Sequence, residues 1–180
     1  IVINPSYIPC LASRAFCLGA SGDPQGGIRA FDQLLWVEQR YAPAYGGRAE
    51  LYMAVGRVDD ALRDYLEVVS LEPSNIAARV GAGKAIMQGA RSGDPDSALA
   101  LFREAIALDA DGAFDAHCQI GLLNCSLGNF DVAIAAFSTA RELIRTHISQ
   151  QDAPGSTSNS ETRRPHPSGV DASSITSAGD

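Results

Sequence analysis

Gly56-Arg57-Val58-Asp59-Asp60-Ala61-Leu62-Arg63-Asp64-Tyr65 sets a glycine, a small residue five positions on, and an aromatic four beyond that. Outward from this stretch the same phrase recurs as Gly22…Gly27…Phe31, Gly93…Ala98…Phe102 and Gly128…Ala133…Phe137, its small residues 34, 37 and 35 positions apart. A fixed period in this range marks stacked supersecondary units, none of which can bury its apolar face alone. The small residue and the aromatic stand at i and i+4 and so share one face of a helix. Leu34, Val68, Ala105 and Ala140, three residues past each aromatic, extend that face into an apolar stripe of helical period. Small side chains let a neighbouring helix approach closely, while the aromatic supplies the larger buried area. The leading glycine falls between two helical stretches, where a positive φ costs it little. Asp23-Pro24 and Asp94-Pro95 place an N-cap and a first-turn proline directly after it.

Each period is therefore a pair of antiparallel helices. The first helices are expected at about 8–20, 42–55, 75–89 and 113–127, and the second at about 24–38, 58–71, 95–108 and 130–148. This organisation resembles the tetratricopeptide repeat (TPR) family. The residues that carry the resemblance are Tyr45 and Tyr52 for the aromatics of a first helix, and Ala82-Gly83 and Ile120-Gly121 for its Leu-Gly pair. Pro73 stands for the closing proline. Gln39 and Ala110 depart from that proline, and Gly27 replaces the family's alanine. The resemblance implies an all-α, right-handed superhelical solenoid of about four TPR-like repeats over residues 1–148. The repeats fall at about 8–41, 42–75, 76–112 and 113–147.

The ends of the array read differently. Tyr7-Ile8-Pro9 aligns with Tyr41-Ala42-Pro43 one period on, which puts Pro5 at the closing position of a preceding unit. With Ile1 in place of Met, residues 1–7 are expected to be the remnant of an earlier repeat and the chain a fragment. In the fourth repeat Arg141 and Arg145 stand where the family has an apolar residue and proline, which suits a surface facing water. Residues 151–180 carry seven Ser, three Thr, three Pro and three Gly with no aromatic, so a disordered tail is expected over 149–180.

The net charge of −7, spread along the chain, argues against nucleic acid as a partner. One lysine, Lys84, stands against thirteen arginines amid abundant Ala and Gly, a bias that suits a GC-rich bacterial coding sequence. No apolar run reaches the ~18 residues of a membrane span, so no membrane insertion is expected. The cysteines form two i, i+7 pairs, Cys10/Cys17 and Cys118/Cys125. Their separation of about 10 Å along a helix is too long for a disulfide. Buried thiols acting as small apolar residues are expected, in keeping with a reducing, cytoplasmic compartment.

Chemistry-bearing motifs are sparse. Gly81-Ala82-Gly83-Lys84 imitates a phosphate loop, but Ala78 stands where that motif needs glycine and Ala85 follows the lysine. Asn124-Cys125-Ser126 is a glycosylation sequon set inside a helix. His117, His147 and His166 are far apart, and no catalytic or metal-ligand spacing emerges. No enzyme, cofactor or metal site is expected.

In proteins that resemble TPR arrays the first helices line a concave groove for a peptide. That resemblance places Ala12, Phe16, Gly46, Glu50, Met53, Val80, Lys84, Met87, Asp115, Cys118, Leu122 and Cys125 along the wall. The strip reads either as an adaptable apolar surface for peptide anchors or as packing against neighbouring or added helices. The function expected is a protein–protein interaction scaffold binding a partner peptide or protein. The alternatives are a non-catalytic appendage of a larger, glycosyltransferase-like enzyme, or an assembly module that self-associates.

Overall fold

The computed structural model describes residues 7–89, 94–111 and 113–151, and of Gln150 and Gln151 only the helical backbone. The expected remnant at Pro5, the tail beyond Gln151 and the phrase glycine Gly93 lie outside the described residues. Eight helices follow one another among the described residues: α1 (Tyr7–Ala20), α2 (Pro24–Val37), α3 (Ala42–Ala54), α4 (Val58–Leu71), α5 (Ile76–Met87), α6 (Pro95–Leu108), α7 (Phe114–Ser126) and α8 (Phe130–Gln151). They pack as successive antiparallel pairs, each second helix also resting on the first helix of the next pair.

Local chemistry accounts for the helix starts. The carboxylates of Asp23 and Asp94 accept the backbone N–H of Gly26 and Ser97, both at 2.8 Å, and the side-chain oxygen of Asn75 accepts that of Ala78 at 2.9 Å. Each satisfies one of the donors a helix leaves open at its N-terminus. Gly22, Gly56 and Gly128 turn the chain between the helices of a pair at φ 90°, 76° and 80°. In the third repeat that conformation belongs to Gly89, at φ 102°, directly after α5. Gly89 lies 33 residues after Gly56, and Ala98 follows it by nine residues rather than five, so the longer period is inserted after the turn glycine and the phrase counted back from Ala98 lands on Gly93 instead.

The phrase's small residues and stripe form the core: Ala61, Ala98, Phe31, Phe102, Leu34 and Ala105 are wholly buried. One apolar cluster joins α1, α2 and the start of α3, and a larger one runs from Ile28 through α3–α6 to Leu123 of α7. Each aromatic presses on a first-helix glycine. A Cβ added at Gly83 would come within 2.4 Å of the Phe102 ring, and one at Gly81 or Gly121 within 2.6 Å of Tyr65 or Phe137. Gly47 stands in the same relation to Phe31, at 2.5 Å. The glycine of the Leu-Gly pair is therefore a steric demand of the ring packed against it.

Arg48 ties three helices together. Its Nε and Nη2 donate to the Asp64 carboxylate of α4 at 2.7 and 2.8 Å, and its Nη1 donates to Asp32 of α2 at 2.6 Å.

Two expectations are corrected. Cys10, Cys17 and Cys125 are exposed and Cys118 is half-buried, so the thiols are not core fillers. Cys10 lies one 34-residue period before Ala44, and α2 packs on α3 where no described helix precedes α1. The end of the array also differs from a simple water-facing surface. Arg141 and Arg145 are exposed, but so are Phe130, Ile134 and Ile148 around them. The single tryptophan, Trp36 on α2, is 86% exposed.

Candidate functional site

The first helices are unevenly spaced. α1 touches α3 and α5 touches α7, but α3 and α5 make no comparable contact, and a cavity of about 790 Å³ opens between them. α3 contributes Ala42, Gly46 and Glu50, and α5 contributes Ile76, Val80 and Lys84. α4 adds Tyr65, Val68 and its capping Glu72, and the start of α7 adds Ala113, Asp115 and Ala116. Gly46 keeps the α3 side open: a Cβ there would meet only Val68, at 4.0 Å. On the opposite side the Tyr65 ring packs on the bare backbone of Gly81.

The lining is apolar at its centre and acidic in balance, with Glu50, Glu72 and Asp115 against Lys84. Lys84 is already engaged, its Nζ donating to Asp115 Oδ2 at 2.7 Å while Gln119 Nε2 donates to Oδ1 at 3.1 Å. Burial works to raise the Asp115 pKa, but these donors and the lysine charge prevail and hold the carboxyl below its usual value. Burial, and then the charge of Glu50, push the Tyr65 hydroxyl up to about 12. It therefore stays protonated at neutral pH. Glu50 is exposed, and Glu72 accepts only a local hydrogen bond from Asn75 Nδ2 at 2.8 Å. The negative charge on offer to a ligand is that of Glu50 and Glu72.

Of the residues expected along the groove, the cavity brings together Gly46, Glu50, Val80, Lys84 and Asp115. Met53 and Met87 are half-buried and pack against the larger apolar cluster, and Ala12 is buried in the smaller one. Phe16 stands edge-on to Phe31 with ring centroids 5.0 Å apart. On α7, Cys118 is half-buried and Leu122 and Cys125 are exposed, away from the cavity. Tyr65, Val68, Ala113 and Ala116 line the cavity without having been read as groove residues. The repeated phrase assigns the first two to the core, where they also belong. The available signal was Gly46, a helix-interior glycine that no turn requires.

Among the described residues no three His, Cys, Asp or Glu side chains gather closely enough to hold a metal ion. Burial lowers the His117 pKa. No described helix is long and apolar enough to cross a membrane.

Comparison with known proteins agrees with this architecture. A solved structure of MamA aligns at a TM-score of 0.65 and 23% identity, covering 83% of this chain and 80% of that one. MamA from Desulfovibrio magneticus RS-1 aligns at 0.69 and 20%, covering 77% and 76%. TTC0263, a thermophilic TPR protein of Thermus thermophilus, aligns at 0.65 and 20%, covering 76% and 74%. At these identities the likeness is one of fold. No curated relative matches the sequence. The tetratricopeptide repeat model matches residues 18–76, 47–113 and 90–147, overlapping stretches that span the helix pairs built on the glycine–aromatic phrase. The chain belongs to the tetratricopeptide repeat family.

Proposed function

We propose that this chain is a non-catalytic interaction scaffold that holds a peptide segment of a partner protein in the cavity between α3 and α5. The observation that carries the reading is the cavity itself: about 790 Å³, apolar along Val68, Ile76, Val80 and Ala116, with carboxylates around it. That volume suits a few side chains rather than a whole domain. An apolar peptide with one basic residue fits best, its aliphatic part on the Val68–Val80 surface and its cation toward Glu50 and Glu72. Lys84 is committed to Asp115, so a carboxylate-gripping site is disfavoured.

The test is selection of a random peptide library on the full chain, followed by calorimetry of the enriched peptides. Enrichment of sequences pairing a basic with apolar residues is expected. Gly46→Trp should fill the cavity and abolish their binding with the helical circular dichroism and melting temperature retained. Glu50→Gln should weaken the same peptides by about twofold to fivefold, the range of an exposed charge pair. Unchanged affinity in Gly46→Trp would place the binding site elsewhere.

A further inference from the structure

α8 is the one second helix with no first helix beyond it among the described residues. Directly after the phrase's small position stand Ile28, Leu62, Leu99 and Ile134. Ile28 and Leu62 are 4% exposed, whereas Ile134 is 64% exposed. The aromatics follow suit: Phe31 and Phe102 are fully buried and Phe137 is 36% exposed. α8 nevertheless keeps the apolar residues that a neighbour would cover. They form one stripe of Phe130, Ile134, Phe137, Arg141, Ile144 and Ile148, spaced 4, 3, 4, 3 and 4. At 100° per residue these six side chains fall within roughly 80° of the helix circumference.

The spacing is that of the a and d positions of a coiled coil, with Arg141 the single polar residue on the seam. It also reads the same in both directions, so α8 is complementary to a second α8 running the opposite way. Laid antiparallel about Thr139, Phe130 meets Ile148 of the second copy, Ile134 meets its Ile144, and Phe137 meets its Arg141. The last pair sets a guanidinium against an aromatic face, a contact that needs no buried carboxylate. Along the solvent edge Asp131 comes beside Arg145 of the second copy, and twofold symmetry makes that pair twice. In a parallel arrangement positions 131 and 145, which share one flank of the stripe, would lie on opposite sides of the seam and could not pair. Residues 152–180 contain only Val170 and Ile175 as large apolar side chains.

We propose that two copies of this chain associate through antiparallel α8 helices, in an isologous contact centred near Thr139. This contact is separate from the α3–α5 cavity, so each proposal stands or falls by itself.

Sedimentation equilibrium of the full chain over about 1–100 µM tests it by mass action. A monomer–dimer equilibrium is expected, and a strict monomer throughout that range overturns the proposal. Ile134→Glu should weaken the dimer at least a hundredfold with circular dichroism and melting at low concentration preserved, since Ile134 is mostly exposed. A dimer indifferent to that change must form through another surface, which also overturns the proposal. Asp131→Arg should weaken association several-fold, and adding Arg145→Asp should restore it. Failure of the double exchange to restore the dimer refutes the antiparallel register.

Discussion

At the scale of single residues, the close-packed glycines give the sharpest test of the register. Alanine usually improves on glycine inside a helix by about 0.5–1 kcal/mol. Gly46→Ala should follow that rule, because the added methyl meets only Val68 at 4.0 Å. Gly83→Ala should break it, since the methyl falls within 2.4 Å of the Phe102 ring. A loss of about 1–3 kcal/mol is expected in urea melts, the usual cost of overpacking. Equal effects at both positions would mean that the Phe102 ring does not seat on Gly83. The glycine of the Leu-Gly pair was legible in the sequence as a motif, but its reason was not: it depends on which ring lands on it after folding. Asp115 supplies a second test. Its carboxyl is depressed in the folded state, so its contribution to stability is full above the ordinary carboxylate pKa and fades as pH falls through the lower folded value. Lys84→Met leaves the burial and removes the cation. The Asp115 midpoint, followed by carboxyl carbon NMR, should then move upward, and a static midpoint would show that Lys84 is not what holds it down.

At the scale of elements, Arg48 shows how one side chain on α3 fastens both flanking second helices. Asp64 is 9% exposed on its side chain and Asp32 is half in water, so the two halves of this clamp are unequal. Arg48→Met should cost about 3–5 kcal/mol, mostly because the Asp64 charge is left buried and unpaired. Arg48→Met with Asp64→Leu should recover much of that loss in thermal melts, whereas removing Asp32 alone should cost little. Helix ends were largely open to sequence reading because their causes are local: Asp23-Pro24 and Asp94-Pro95 cap and start a helix whatever surrounds them. The spacing between α3 and α5 was not open in that way. It depends on how the Tyr65 ring seats on Gly81 and on how α4 carries α5, both long-range outcomes. The apolar stripe of α8 was visible letter by letter, yet Arg141 and Arg145 drew the reading toward water. Only the exposure of Phe130 and Ile134 shows that this stripe is left uncovered among the described residues.

At the scale of the whole molecule, neighbouring pairs hold each other and distant ones do not touch, so stability is a chain of local junctions. The junction of α6 with α7 is the thinnest of those between pairs, and the larger apolar cluster extends no further along the chain than Leu123 of α7. Amide exchange of the Ile134→Glu chain should therefore show α7 and α8 opening ahead of α3–α5, by local unfolding rather than in one global step. Uniform exchange along all eight helices would argue for a single cooperative block. How such unfolding is observed depends on Trp36. The indole stands 86% in water on α2, so its emission in the native state is already that of an unfolded chain. Tryptophan fluorescence, the usual optical reporter of protein melting, is nearly blind in this molecule, and an indole placed in a junction by substitution would be needed to see the array come apart.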